Sequence, residues 1–316
     1  MARGLALGNL DRIPLSMVLI NYLALLLTAW IAAYLTYQHQ VNGSAAHKLS
    51  FPSFAPLMIP LAPGLLMAFG RDLGEATAAA WLVLAALSLH HKRIVFFAIA
   101  ISAAILTREA ALLAAIAAWL LAARDMAISP RAQNRRTLLI FSIPLVVFAL
   151  WQWKLYSMWG TFPFVQAPSN RGWPGIGFFH QLWASPYRTK PVESAVQALY
   201  LGWHLTLTTL VVRALKSERP LRLLFQKPVS PAVFNDQLLR PWLWLSWIIW
   251  SAFASCFSEI VWDDDWGFTR ILSDWSILGM LLLLTSRLKP LRINSVFGYW
   301  TIILALGTGI RLIVKV

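Results

Sequence analysis

Three small groups of charged residues interrupt an otherwise apolar chain. Arg71, Asp72 and Glu75 stand in F-G-R-D-L-G-E at 69–75, Arg108 and Glu109 in L-T-R-E at 106–109, and Arg270 follows the run Asp263-Asp264-Asp265. Charges next to hydrocarbon are costly, and chains that keep them there usually use them. A carboxylate one helical turn into such a segment, as Glu75 is, suits the orientation or deprotonation of a hydroxyl. The planar fork of Arg71, Arg108 or Arg270 suits a phosphate. Each group also has a plainer account. Asp72 would complement the positive end of a helix starting near Leu73, Arg108 and Glu109 would be solvated or paired with a loop, and Arg270 would pair with Asp274 at i,i+4.

The remaining polar residues point less clearly to chemistry. Three successive aspartates at 263–265 are oxygen donors of the kind a divalent cation takes, but adjacent side chains rarely aim at one ion, so a solvated loop or an acceptor contact is expected and no metal site. His180 and His204 are isolated, and His90-His91 belongs to a basic run with Lys92 and Arg93. The single cysteine, Cys256, leaves no internal disulfide or thiol cluster, and no cofactor is expected.

The elements that must position these residues follow from composition. Of 316 residues, 59% are hydrophobic and 13% charged, and mean hydropathy is +0.63, against about half and about a quarter in soluble domains. The chain therefore reads as an all-α, polytopic membrane protein, a single transmembrane domain over 1–316 without a separate soluble domain. The net charge of +14 does not point to nucleic acid, because its basic residues sit in short runs between apolar segments, as the positive-inside bias and anionic lipid require. Apolar runs are expected to be helical over Pro14–Tyr37, Phe51–Phe69, Leu73–Leu89, Ile94–Leu106, Ala110–Ala123, Leu138–Trp153, Ser194–Leu215, Trp242–Trp262, Ile271–Ser286 and Val296–Val314. That makes about ten transmembrane or half-spanning helices. Pro52, Pro56, Pro60 and Pro63 predict that the second is broken or re-entrant.

The runs on either side of Arg108 measure about 20 Å each, short for a hydrocarbon core of about 30 Å. His90-His91-Lys92-Arg93 precedes the pair, and Arg124, Arg131, Arg135 and Arg136 follow it. Basic flanks at both ends predict a hairpin with its Thr107–Glu109 turn on the opposite face. Alternation then puts the 38–50, 213–240 and 287–294 connections in the cytoplasm. The acidic groups, a long loop over about 154–193, both chain ends and a belt of Trp151, Trp153, Trp159, Trp262 and Trp266 fall on the outer face. Met1–Arg12 carries no secretory-signal pattern, and an outer amino terminus suggests that a first helix is missing.

Two ordered segments, P-G-L-L-M-A-F-G-R-D-L-G-E-A-T-A-A-A-W-L-V-L-A-A-L at 63–87 and A-I-L-T-R-E-A-A-L-L at 104–113, resemble the membrane-embedded glycosyltransferases of the GT-C superfamily, bacterial cell-surface glycopolymer members in particular. L-Y-S-M-W-G-T-F-P-F at 155–164 and W-G-F-T-R-I-L at 266–272 resemble them more weakly. The resemblance implies transfer of one sugar from a polyprenyl-phosphate donor to a glycan or lipid acceptor of the cell envelope. The reaction would take place at the periplasmic or extracellular face of a bacterial inner membrane. It implies inversion at the anomeric carbon, with a carboxylate of the first outer loop as general base. The opening A-L-G-N-L-D-R-I-P-L-S-M-V-L-I-N-Y-L-A-L-L is similar to the region after that loop, so the main base is expected upstream of Met1 and the chain is expected to be weakly active or inactive. Asp72 and Glu75 remain as catalytic candidates, and Arg71, Arg108, Glu109 and Arg270 as substrate-binding ones, Arg108 toward the lipid phosphate. Trp173, Trp183, Tyr187 and the glycines of 172–177 suit stacking on sugar rings, although interfacial anchoring explains them equally. A transporter or flippase for a lipid-linked saccharide and a non-catalytic membrane subunit are the alternatives. Transporters often show internal repeats, and none is found in this chain.

Overall fold

The computed structural model describes residues 13–43, 55–69, 74–162, 172–184, 191–218, 238–263, 269–286 and scattered positions between 296 and 307. Every regular element among the described residues is helical. In chain order the helices are α1 Ile13–Gly43, α2 Pro63–Phe69, α3 Glu75–His90, α4 Ile94–Thr107, α5 Leu112–Ile128, α6 Ala132–Trp159, α7 Ile176–Ala184, α8 Pro191–Glu218, α9 Leu239–Ser255, α10 Glu259–Asp263 and α11 Ser273–Leu284. Four stretches are long and apolar enough to cross a membrane: Ile13–Gln38, Glu109–Ile128, Ala132–Trp159 and Gln197–Ser217. The apolar helices α3, α4 and α11 are shorter. In hydrocarbon a chain must satisfy its own backbone, and a helix does so within one segment.

The helices differ from the apolar runs in informative ways. The run Ala110–Ala123 becomes part of a span reaching Ile128, and Leu138–Trp153 becomes the 28-residue α6. Helical hydrogen bonding does not stop where hydrocarbon does, so Arg124, Arg135, Arg136 and Lys154 ride on helix ends rather than in loops. The run Trp242–Trp262 is divided instead. Cys256 N and Phe257 N close on Phe253 O and Ala254 O, and α10 starts afresh at Glu259. Phe51–Phe69 is broken, as its prolines require: a 3₁₀ turn over Ala55–Met58 leads through Pro60 to α2, which has Pro63 at its first position. Proline is tolerated there because that N–H has no helical partner anyway. The stretch 154–193, expected as one long loop, contains the end of α6, all of α7 and the start of α8. Of 213–240, residues 219–237 lie outside the described residues, as does much of Val296–Val314.

The chain divides into two compact units, one of 1–83, 189–218 and 269–316 and the other of 84–188 and 219–268. The first is centred on α11, every residue of which is buried. The broken segment 55–69 packs against both α1 and α11. Gly64 is needed for that approach, because a Cβ there would collide with Thr269 O and stand 2.9 Å from Ser273 Cβ. On α1 the buried positions Asn21, Ala24, Thr28, Ile31 and Leu35 recur at helical spacing, while Leu19, Leu23, Leu26 and Trp30 are exposed. This division suits one face against protein and one against lipid. Ala24 packs with Ala76 and Ala80 of α3, and Thr77 Oγ1 donates to Asn21 Oδ1 at 3.3 Å.

In the second unit α6 is the spine. Asn134 near its start bonds Asp125 O, Phe141 meets Phe97 with ring centroids 5.0 Å apart, and Gln152 bonds Glu109. Along α6, then, α4 runs parallel and α5 antiparallel, which is the hairpin that the two basic flanks predict. Its hinge is Arg108, extended at φ −153° and ψ 116°, followed by a single 3₁₀ turn. Trp242 of α9 seals the unit, edge-on to Phe97 at 5.3 Å and with its Nε1 donating to Ala114 O at 2.9 Å.

Candidate functional site

The first unit joins two of the candidate residues directly. Glu75 opens α3, where the helix dipole favours an anion, and its carboxylate is buried. Arg270 belongs to the helical turn that leads into α11. Arg270 Nε and Nη2 both donate to Glu75 Oε1, at 2.8 and 2.6 Å. The two residues are 195 positions apart in the chain. The Glu75 side chain is 7% exposed and the Arg270 side chain 34%, so the acid is enclosed while the arginine is only partly covered. Charge-assisted bonds of this kind are about twice as strong as neutral ones. Two donors on one oxygen leave Glu75 Oε2 outside this bond pair.

Two features hold the pair in place. Gly64 lets α2 press onto the backbone of Thr269, immediately before Arg270. Ser273 Oγ donates to Arg270 O at 2.7 Å, closing the turn behind it. Further along the same unit, His204 of α8 lies over Trp275 with ring centroids 5.6 Å apart and bonds Tyr200 O at 2.6 Å. Asp274 is buried beside Trp275. Sequence reading treats His204 as isolated; packing gives it an aromatic neighbour 71 residues further along the chain. Arg71 and Asp72, the candidates just before α3, lie outside the described residues.

The second unit holds Arg108 and Glu109. Glu109 accepts from Gln152 Nε2 at 2.6 Å, a partner absent from the sequence-level candidates because an amide inside an apolar run carries no spacing signal. Gln152 is buried, and its Oε1 lacks a hydrogen-bond partner. At the opposite end of α5, Arg124 holds Asp125 with bonds of 2.9 and 2.5 Å to Oδ1, and Asn134 Nδ2 closes on Asp125 O and Ser129 O. Sequence reading places Arg124 in a basic loop and does not single out Asp125.

Other expectations fare differently. Trp151, Trp153 and Trp159 are exposed on the last turns of α6, as an interfacial belt requires, whereas Trp262 is buried against Phe178 and belongs to the core. Trp266, Asp264, Asp265 and Tyr187 lie outside the described residues. His180 is 3.6 Å from Glu259 on the surface. Among the described residues no three His, Cys, Asp or Glu side chains group closely enough to hold a metal ion. No protein-family model matches the chain, and neither a curated protein nor a solved structure matches it significantly.

Proposed function

We propose that this chain is a membrane-embedded sugar transferase of the GT-C type, acting on a polyprenyl-phosphate-linked donor, with Glu75 and Arg270 as its polar centre. In this reading the ten apolar runs embed the chain in a bacterial inner membrane with the reacting face outward. The observation that carries it is the Glu75–Arg270 pair. Its two members belong to the two segments whose composition suggests acid–base and phosphate chemistry, and both come to one point at the start of α3. A donor phosphate reaching the partly exposed Arg270 side chain would compete with Glu75 for the guanidinium, which suits phosphate and carboxylate alike. Partner exchange would leave Glu75 to accept a proton from the acceptor hydroxyl, in place of the first-loop carboxylate that the resemblance implies as main base. As that oxygen bonds to the anomeric carbon, the bond to the polyprenyl phosphate breaks and the phosphate takes the electron pair. Arg108 and Glu109 form a second polar centre, for substrate contact in their own unit, with Arg71 and Asp72 as further candidates before α3.

The test is donor binding and sugar transfer by the protein in lipid nanodiscs, using a radiolabelled polyprenyl-phosphate sugar. Arg270→Lys keeps the charge and loses the fork, and is expected to weaken donor binding by about tenfold, the equivalent of about 1.4 kcal/mol or one good charge-assisted bond. Glu75→Gln should spare binding and lower transfer. Binding without transfer in the parent protein would favour a non-catalytic subunit. Movement of the intact lipid-linked sugar across a vesicle membrane without transfer would favour a carrier, and an unaltered affinity in Arg270→Lys would remove Arg270 from the site.

A further inference from the structure

Helix α7 leaves an apolar face uncovered. Ile176, Phe179 and Trp183 fall within about 60° of one another at 3.6 residues per turn, and each is more than half exposed, as is Trp173 just before the helix. The other side of α7 is firmly seated. Gly177 packs so closely on the end of α9 that a Cβ there would collide with Phe257 O and stand 2.6 Å from Trp262 Cδ1, and Phe178 meets Trp262 edge-on. Gly172 N and Gly175 N donate to Cys256 O and Ser255 O at 2.8 and 2.7 Å, with Gly175 at φ +83°, a conformation that glycine adopts without strain. The orientation of the apolar face is therefore built in from behind.

We infer that α7 lies in the plane of the membrane–water interface, with Trp173, Ile176, Phe179 and Trp183 set into the boundary between phospholipid headgroups and acyl chains. Three observations select lipid as the occupant. First, α7 starts sixteen residues after Gly160, the cap of a span long enough to cross the bilayer, and the last turns of that span carry exposed Trp151, Trp153, Tyr156 and Trp159. Second, the face is ended by indoles, which prefer the headgroup level, while His180 and Glu259 give its border a polar edge. Third, the sequence from 160 to 192 contains Arg171, Arg188 and Lys190 and no acidic residue, which suits an anionic lipid surface.

The experiment is nitroxide accessibility in nanodiscs of phosphatidylcholine and phosphatidylglycerol. In a Cys256→Ser background, spin labels are placed singly by Ile176→Cys, Phe179→Cys, Trp183→Cys and His180→Cys, with Leu150→Cys on the exposed face of α6 as the lipid reference. At 176, 179 and 183 the ratio of oxygen to nickel-chelate accessibility should approach that at 150, and at 180, on the polar border about 40° from Ile176, it should be lower. High nickel accessibility at all three would mean that the face is in water and overturn the inference. Low accessibility to both reagents would mean that protein covers it, a second copy or another subunit, and would also overturn it. All four α7 positions are exposed, so normal elution of the labelled proteins is expected; a label at 179 in a misfolded sample would be recognised by loss of the reference signal pattern in Leu150→Cys combined with Phe179→Ser.

Discussion

Breaking the Glu75–Arg270 pair is the sharpest test of the packing in the first unit. Opposite unit charges about 4 Å apart attract by about 4 kcal/mol at an effective dielectric of about 20. Desolvation of the buried carboxylate and solvent screening at the one-third-exposed Arg270 side chain reduce this, leaving a coupling of about 2–3 kcal/mol. Arg270→Met should be the costlier single change, because it leaves an enclosed carboxylate without its two donors. Glu75→Gln should cost less, since its amide oxygen still accepts from Arg270. The double variant Glu75→Gln/Arg270→Met should be no worse than Arg270→Met alone, because the loss has already been taken. Thermal unfolding of the solubilised protein, followed by tryptophan fluorescence, reads the cycle. At about 2 °C per kcal/mol for a chain of this size, the single change should lower the midpoint by about 4–6 °C. Additivity of the two single changes within about 0.5 kcal/mol would refute the reasoning, because residues in direct contact should couple and independent ones should not.

Further changes test the second unit and the close approaches. Glu109→Ala should destabilise by about 1–3 kcal/mol by stranding the amide of Gln152, and Glu109→Gln should recover most of that, both read as shifts in the unfolding midpoint. Trp242→Phe keeps the ring contact with Phe97 but loses the bond to Ala114 O, at a cost of about 1 kcal/mol on the same scale. Gly177→Ala should cost about 1–3 kcal/mol by overpacking, since the methyl meets backbone at Phe257; a neutral outcome would mean that α7 is not seated as described. Gly64→Ala should behave similarly and, by displacing Thr269, also weaken donor binding at Arg270, measured by titration in nanodiscs.

How much of this was legible in the sequence depends on the kind of interaction. The broken segment at 51–69 was readable because proline removes its own N–H, a local effect. The hairpin around Arg108 was readable because basic flanks report which side of a membrane each end occupies. Helix ends were misjudged at α5 and α6, where hydropathy marks the limit of hydrocarbon and backbone bonding continues beyond it. Trp262 was placed in an interfacial belt on its residue type, whereas its burial depends on the short helix α7 and on a glycine at 177 that lets Phe178 reach it.

The same division runs through the candidate site. Composition alone determined that the chain is helical and apolar enough for a bilayer, because every backbone group near hydrocarbon must be bonded within its own segment. Residue type alone marked Glu75, Arg108, Glu109 and Arg270 as costly and therefore worth examining. Tertiary structure decided their partners: Arg270 for Glu75 across 195 residues, and Gln152 for Glu109 across 43. Such pairing depends on which helix faces meet and at what height, and those are set by the small residues and aromatic rings between the helices rather than by any spacing along the chain.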